Sequence, residues 1–282
     1  MKIHRIRSSQ EFATHFRRNA PYNEQHFREL ARYVPAHETT EFTVPGFSYT
    51  AGERVDFAVD RVHADADGHI NWRERVICPV TGLNNRMRAS VHLFDIEMNV
   101  YPDFVIYLTE QVTPTFRFFA QNFEHVVGSE FLGQSVPYGS TDASGVRNEN
   151  LCALTFPDAT FDAIVSLDVL EHIPNFADAL RECYRCLKPG GRLMWSAPFA
   201  PNSERNIIRA VLGPDGSITH LLPPEYHGDP LDREGVLCYT HFGWEVFSQL
   251  RSVGFADAYA IPYQSLEFGY LGHESLMFFA TK

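Results

Sequence analysis

The chain has 282 residues, of which 44% are hydrophobic and 21% charged, an ordinary globular composition that allows one large domain or a large and a small one. A formal net charge of −11 argues against a general nucleic-acid binder, which usually presents a basic face. No apolar run approaches the ~20 residues of a membrane helix, the N-terminus lacks the apolar stretch of a secretory signal, and the odd count of five cysteines favours reduced thiols. The sequence therefore predicts a cytoplasmic protein without membrane insertion.

The first hundred residues predict a small α+β region. Residues 1–35 mix charged and aromatic side chains and predict one or two short helices, whereas residues 36–75 predict strands and turns. Residues 59–75 carry Asp and Gly in their middle, which favours a loop or hairpin. Apolar residues at roughly helical spacing predict a helix over residues 83–98.

From about residue 103, buried-strand and amphipathic-helix patterns alternate, which is typical of a mostly parallel sheet covered on both faces. Thr113 as N-cap and Pro114 at the first helical position predict the start of the first helix of this part. The last two strands lack a helix between them, so we expect antiparallel pairing there. We predict an N-terminal accessory region at 1–100 and an α/β domain at 101–282. The predicted strands are 104–110, 125–131, one within 161–173 that runs into a loop, 192–199, 259–264 and 274–282, and the predicted helices are 113–123, 176–191 and 243–255.

Ligands of open parallel α/β sheets bind outside the carboxyl ends of the strands, so the residues just after each strand are the first candidates. Ser129 and Glu130 follow the second of these strands, where an acid commonly accepts hydrogen bonds from ribose hydroxyls; the alternative is a solvated surface acid. Residues 168–173 hold two acids and a histidine, more polar groups than a core connection needs. His172 could face a substrate or simply hold the turn.

The run 150–199 resembles the class I S-adenosylmethionine-dependent methyltransferases. The matching features, in order, are L-x-F-P-D-x-x-F-D, a strand, D-x-L-E-H, a helix, and L-K-P-G-G before another strand. The resemblance covers about residues 103–282. It implies a Rossmann-like fold with a seven-stranded, mostly parallel sheet whose last strand is antiparallel, methyltransferase activity, and S-adenosylmethionine as cofactor.

Site residues follow from the resemblance position by position. Glu130 would hold the ribose, Asn150 and Leu151 would contact adenine, Asp168 would line the pocket near the methionine end, and Glu110 would take the amino group. The full set expected to bind the cofactor is Glu110, Thr113, Ser129, Glu130, Asn150, Leu151, Asp168 and Val169.

The sequence departs from the family at the first strand, where a D-x-G-x-G-x-G loop is usual. Residues 110–115 contain no glycine, although an acid is kept at Glu110. The sequence is similar to a methyltransferase subgroup with T-E-Q-x-T at this position. The missing glycines could also mean a shifted cofactor pose, weaker binding, or a protein that does not catalyse.

Residues 200–242 form a long insertion between two strands, and long ordered loops are often functional. O-methylation needs a base near the acceptor oxygen. The candidates are His227, His220 and His172, in that order, with Glu225 or Asp229 orienting them. The alternatives are a self-bonded lid over the cofactor or a divalent metal site, although nothing in the spacing is diagnostic of a metal.

No metal is predicted elsewhere. Cys78 begins a C-P-V-T-G sequence that resembles a relic of a zinc-ribbon motif, with Thr81 where a second cysteine would stand, and no second pair exists. Arg86 and Arg88 nearby could face an anion or a solvated helix face. Cys183 and Cys186 have redox-motif spacing, but their mid-helix position favours packing.

The function predicted from these features is methyl transfer to the hydroxyl of a small molecule or glycan, by a protein that could form a homodimer and has no nucleic-acid partner. Two alternatives remain: a catalytically silent binding or scaffold module on a methyltransferase fold, and a fold adapted to a non-methylating reaction.

Overall fold

The computed structural model describes residues 3–35 and 40–282. The α-helices in these residues are α1 (Ser9–Leu30), α2 (Asn85–Glu97), α3 (Pro114–Asn122), α4 (Phe176–Cys186) and α5 (Glu245–Val253). The strands are β1 (Glu41–Ser48), β2 (Glu53–Asp60), β3 (Val105–Leu108), β4 (His125–Gly128), β5 (Phe161–Leu167), β6 (Leu187–Ser196), β7 (Ile207–Ile208), β8 (Ala210–Leu212), β9 (Ile218–His220), β10 (Tyr226–His227), β11 (Val236–Leu237), β12 (Thr240–His241), β13 (Asp257–Ser265) and β14 (Tyr270–Thr281). No described helix has the length and apolar character needed to cross a membrane.

The chain folds into two compact units. The first comprises the described residues of Met1–Ile6, Gln10–Asn99 and Ile261–Met277, and the second comprises Arg7–Ser9, Val100–Ala260 and Phe278–Lys282. The N-terminal part contains one long helix, α1, where the sequence predicted one or two short ones. The boundary predicted near residue 100 remains a prediction.

The main sheet has six strands in the order β13-β14-β6-β5-β3-β4. Strands β4, β3, β5 and β6 run parallel, and β5 is buried along its whole length. Strand β14 runs antiparallel to β6, with Phe278 opposite Trp195, because a short turn rather than a helix joins it to β13. The predicted α/β, Rossmann-like architecture is therefore confirmed.

The predicted count of seven strands is one too many for the described residues. Beyond β4, the place of a seventh strand is taken by a single parallel bridge between Glu130 and Asn148. The intervening chain turns repeatedly, and Gly133, Gly139 and Gly145 adopt φ values of 71°, 81° and 83°. Such left-handed positions suit glycine and interrupt an extended run, so a full strand does not form.

Helix α4 ends at Cys186, earlier than the predicted residue 191, because strand β6 already begins at Leu187. The next residue, Lys188, is held by an ion pair of 2.6 Å with Asp162 at the start of β5. Cys183 and Cys186 are fully buried, and burial raises the pKa of the Cys186 thiol to about 11. Such thiols are inert, which agrees with packing as their role.

In the first unit, the two predictions for Arg88, an anion contact and a solvated helix face, are both wrong, because its side chain does not reach the surface. Its side chain is fully buried on α2. The guanidinium donates hydrogen bonds to the carbonyl oxygens of Phe268, Gly269 and Val76, and lies 3.9 Å from the centroid of the Phe57 ring. Arg88 therefore joins strand and turn backbones inside the first unit.

Cys78 lies in the same unit and is also buried. Burial raises the pKa of its thiol, but hydrogen bonds from the hydroxyls of Ser48 and Thr81 outweigh that effect and leave the pKa lowered. The hydroxyls of Ser48 and Thr81 thus lie next to the thiol of the only cysteine in the C-P-V-T-G sequence.

Candidate active site

One side-chain carboxylate, that of Glu130, links the segments that follow β3 and β4. Glu130 follows β4, and its Oε1 accepts hydrogen bonds from the backbone N–H groups of Gln111 at 2.6 Å and Val112 at 2.9 Å. Both bonds end on the same oxygen, so the second carboxylate oxygen keeps its acceptor capacity. The structure therefore brings together two strand ends that the sequence treated separately.

The glycine-free loop after β3 is braced by Gln111. Its side-chain N–H donates to the carbonyl of Gly145 at 3.1 Å, and its amide oxygen accepts from the N–H of Arg147 at 2.8 Å. The N–H of Glu130 in turn donates to the carbonyl of Arg147. These bonds order a loop that lacks the flexibility of glycine.

The remaining predicted cofactor residues occupy the same edge of the sheet in different ways. The Thr113 hydroxyl caps α3 by accepting from the N–H of Phe116, and Pro114 begins that helix, as the sequence predicts. Ser129 is buried and its hydroxyl lies 2.7 Å from the hydroxyl of Tyr107.

Asn150 and Leu151 follow on the segment that returns from the turns. The Asn150 side-chain oxygen accepts from the N–H of Cys152 at 2.9 Å, which forms a local turn, and Leu151 is mostly buried. Glu110 follows β3 and is partly exposed.

Asp168 and Val169 come directly after β5. Asp168 has a φ of 55°, a left-handed conformation that is costly for a residue other than glycine. Its carboxylate accepts a hydrogen bond of 2.9 Å from the Ser196 hydroxyl. Strain of this kind is common where a side chain is aimed at a ligand.

Burial raises the pKa of Glu130, and the carboxylate of Asp229 raises it further, while its two backbone hydrogen bonds act in the opposite direction. Asp229 belongs to the insertion, so this part of the insertion lies close enough to Glu130 to affect its pKa.

The donor and acceptor groups at this edge fit S-adenosylmethionine. The cofactor carries ribose hydroxyls, an ammonium group and a sulfonium, which need acceptors and negative charge. Glu130 has a remaining oxygen for hydroxyls, and Asp168 and Glu110 supply further carboxylates at neighbouring strand ends.

A second polar group lies after β5, and we call Glu171, His172 and His227 the Glu171 cluster. Glu171 is fully buried, and neither of its carboxylate oxygens receives a hydrogen bond from any described residue. His172 Nε2 lies 3.7 Å and His227 Nδ1 lies 3.6 Å from Glu171 Oε1. The two imidazole rings meet edge to face with centroids 4.9 Å apart.

The outer nitrogen of each histidine is held by an acceptor. His172 Nδ1 lies 2.9 Å from the carbonyl oxygen of Leu237, and His227 Nε2 lies 3.0 Å from Glu225 Oε1. Glu225 is itself held at 3.0 Å by both His241 and Arg209. The pKa of His227 is raised, mainly by the Glu171 carboxylate and against the effect of burial.

The insertion forms three short antiparallel ribbons, β12 with β7, β8 with β9, and β10 with β11. The ribbon of β10 and β11 carries His227 to Glu171, whereas His220 lies exposed at the end of β9. The structure thus brings together two of the three histidines proposed as bases.

Sequence reasoning missed the role of Glu171 and the contacts of Arg209 and His241. The signal in the sequence was the acid–histidine pair of D-V-L-E-H. A carboxylate that becomes fully buried needs a partner, and the adjacent histidine could have indicated one.

The methyltransferase-domain family matches residues 113–195, from the N-cap of α3 to the penultimate residue of β6. This segment contains Glu130, Asp168, Glu171 and His172. The family predicted from the sequence is confirmed there, while the T-E-Q-x-T subgroup remains a prediction.

Two curated relatives support this match. A protein from Mycolicibacterium smegmatis named as an S-adenosylmethionine-dependent methyltransferase is 42% identical over 63 residues, which are 21% of this chain and 24% of the relative. The demethylmenaquinone methyltransferase of Listeria welshimeri is 27% identical over 159 residues, 53% of this chain and 61% of the relative. The chain thus spans less than two thirds of the length of either relative.

Among solved structures, an S-adenosylmethionine-dependent methyltransferase from Mesorhizobium loti aligns with 68% of this chain and 96% of its own, at 16% identity and a TM-score of 0.41.

Proposed function

We propose that the protein is an S-adenosylmethionine-dependent methyltransferase that methylates a hydroxyl group of a small molecule or glycan. The observation that carries the hydroxyl assignment is the Glu171 cluster, a buried carboxylate with two histidines on the methyltransferase domain. An alcohol needs to lose its proton to become a good nucleophile, and the cluster is suited to promote that loss.

When bound, S-adenosylmethionine would supply an electrophilic methyl group for transfer to the acceptor oxygen, with S-adenosylhomocysteine as the leaving group. Glu130 and Asp168 would bind and orient the cofactor at the strand ends. The Glu171 cluster binds the acceptor hydroxyl and promotes release of its proton, with Glu225 orienting His227. Positioning of the two reactants provides the rest of the rate enhancement.

The first test is calorimetric titration of the full chain with S-adenosylhomocysteine, followed by transfer of a labelled methyl group to a panel of glycans and small alcohols. Micromolar binding and labelling of a hydroxyl are expected. A well-folded protein that binds neither S-adenosylhomocysteine nor S-adenosylmethionine would instead indicate a scaffold module on this fold.

The second test separates the cluster from the cofactor site. Glu171→Gln should lower methyl transfer by roughly 100-fold or more while S-adenosylhomocysteine affinity changes little, because general acid–base groups contribute about 10²–10⁴ to a rate. His220→Ala, at an exposed histidine of the same insertion, is the matched control and should keep its activity. Full activity of Glu171→Gln would remove the cluster from the mechanism.

A further inference from the structure

We propose that the Glu171 cluster is a binding site for a divalent first-row transition-metal ion, held by Glu171 Oε1, His172 Nε2 and His227 Nδ1. The three ligand atoms lie within 4.8 Å of one another. Binding of the ion does not depend on the proposed methyltransferase function, whereas its role toward an acceptor hydroxyl rests on that function.

The first argument is the state of Glu171. Its side chain is fully buried and neither oxygen receives a hydrogen bond from a described residue. A fully buried carboxylate is strongly disfavoured unless a positive charge lies close to it. A cation between the carboxylate and the two imidazoles supplies that charge.

The second argument is the protonation pattern of the histidines. A carbonyl oxygen only accepts, so His172 carries a proton on Nδ1 toward Leu237, and its neutral form directs the Nε2 lone pair at Glu171. In its neutral form, which is the form that binds metals, His227 would carry its proton on Nε2 toward Glu225 and leave the Nδ1 lone pair for an ion beside Glu171. With both imidazoles neutral, these three potential ligand atoms lie close enough together to hold one cation.

The third argument is distance. The separations of 3.6 Å and 3.7 Å from Glu171 Oε1 are too long for hydrogen bonds. Ligands at ~2.1 Å from a tetrahedral ion are separated by roughly 3.4 Å. The observed separations therefore fit two ligands of one ion better than two direct hydrogen bonds.

The surroundings also fit a metal site. Metal-binding histidines usually donate their other N–H to a carbonyl or carboxylate, as His172 does to Leu237 and His227 to Glu225. The side chains of His172 and His227 keep 14% and 27% of their surface exposed. Three protein ligands with one accessible side are typical of catalytic metal sites, in which water or substrate takes the open position.

The ligand set selects the class of ion. Two imidazole nitrogens and one carboxylate suit zinc, iron, cobalt or manganese, whereas magnesium and calcium prefer oxygen ligands. An acceptor hydroxyl coordinated at the open position would lose its proton to solvent water more readily, since a bound cation stabilises the alkoxide.

Two other groups of potential ligands are weaker candidates. Cys238, which lies near Glu225 and His241, has a thiol whose pKa is raised to about 12, chiefly by burial, so it is a poor ligand. Asp65, Asp67 and His69 are exposed, and Asp65 already accepts hydrogen bonds from the backbone and ring of His69.

The experiment is titration of the chelator-treated full chain with Co²⁺, followed by visible absorption and by metal analysis of Zn²⁺-loaded protein. We expect one ion per chain and the d–d absorption of low-coordinate Co²⁺. Glu171→Gln and His227→Gln should each weaken Co²⁺ binding by about 100-fold, and Glu225→Gln, which removes an outer contact, by roughly 10–100-fold. His69→Gln, in the exposed group, is the matched control and should bind as the wild type does.

Failure of the chain to bind Co²⁺, Zn²⁺ or Mn²⁺ in excess would overturn the proposal, and so would binding that both cluster variants retain. Circular dichroism shows whether each variant is folded. If the buried substitution Glu171→Gln prevents folding, the more exposed His227→Gln still tests the proposal. Calorimetry with S-adenosylhomocysteine in metal-free buffer reports the cofactor site separately. Loss of metal binding with intact S-adenosylhomocysteine binding therefore identifies failure of the metal site alone.

Discussion

At the scale of single residues, Glu130 has two roles at once. Its Oε1 accepts two backbone N–H groups of the glycine-free loop, and its other oxygen remains for a ligand. In this chain the same carboxylate therefore orders the loop and is available to bind a hydroxyl. In the proposed cofactor site, the carboxylate that orders the glycine-free loop would also bind a ribose hydroxyl.

Glu130→Ala should weaken S-adenosylhomocysteine binding by ~1–3 kcal/mol, since a hydrogen bond to a charged group is lost and two N–H groups lose their acceptor. Calorimetric titration measures the change. Glu124→Ala, at a residue close in sequence but before β4, is the control and should not alter affinity. Unchanged affinity in Glu130→Ala would remove Glu130 from the cofactor site.

Arg88 is the second residue whose role the structure decides. Burial lowers the pKa of its guanidinium to about 10, so the group still carries its charge at neutral pH. Three backbone carbonyls compensate that charge. Removing the side chain leaves those carbonyls without their donor inside the first unit.

Arg88→Met should therefore lower the free energy of unfolding by ~2–4 kcal/mol, as expected when a buried hydrogen-bond network is broken. Urea denaturation followed by circular dichroism measures the loss. Arg86 lies on the same helix as Arg88 and forms a partly exposed ion pair with Glu74. Arg86→Met should therefore lower the free energy of unfolding by no more than ~1 kcal/mol. Equal effects of the two substitutions would contradict the buried role of Arg88.

At the scale of elements, Asp162 connects the starts of three strands. It lies at the start of β5, accepts a hydrogen bond of 2.8 Å from the N–H of Val105 in β3, and pairs at 2.6 Å with Lys188 in β6. Burial alone would raise its pKa, but the bonds from Lys188 and from the hydroxyl of Tyr101 outweigh that effect and lower it.

A lowered pKa means that Asp162 stabilises the folded state above the pKa of an unfolded aspartate, ~3.9, and that this contribution is lost as pH falls through the folded-state value. Asp162→Asn should therefore reduce the free energy of unfolding at pH 7 by ~1–3 kcal/mol and by much less near pH 3. Urea denaturation at both pH values checks the difference. Asp158→Asn, at an exposed acid, is the control; a loss in Asp162→Asn that does not depend on pH would contradict the argument.

At the scale of the whole molecule, a ligand that binds only the folded state stabilises it by mass action. S-adenosylhomocysteine at 100 times its Kd should add ~2.7 kcal/mol to the free energy of unfolding and raise Tm by several degrees. Differential scanning calorimetry measures the shift, with adenosine as the control ligand. Absence of any shift at saturating S-adenosylhomocysteine would contradict binding by the native fold.

Much of the second unit could be predicted from local patterns. The order of strands and helices over residues 103–199 was predicted, the starts of β4, β5 and α4 were predicted to the residue, and the cap formed by Thr113 and Pro114 was predicted directly. Such features depend on neighbouring residues alone. The end of α4 at Cys186 was not predicted, because the pairing of Leu187 with Phe161 in β5 overrides the helical pattern that continues to residue 191.

The sequence by itself determined the class of the fold, the family of residues 113–195 and the acids at the strand ends, because hydrophobic periodicity and short motifs are local properties of the chain. Only the tertiary structure decided that Glu171 is buried between His172 and His227, and that Glu130 supports the loop after β3. Those contacts depend on the ribbons of the insertion and on the order of the strands, which bring together side chains that are distant in sequence.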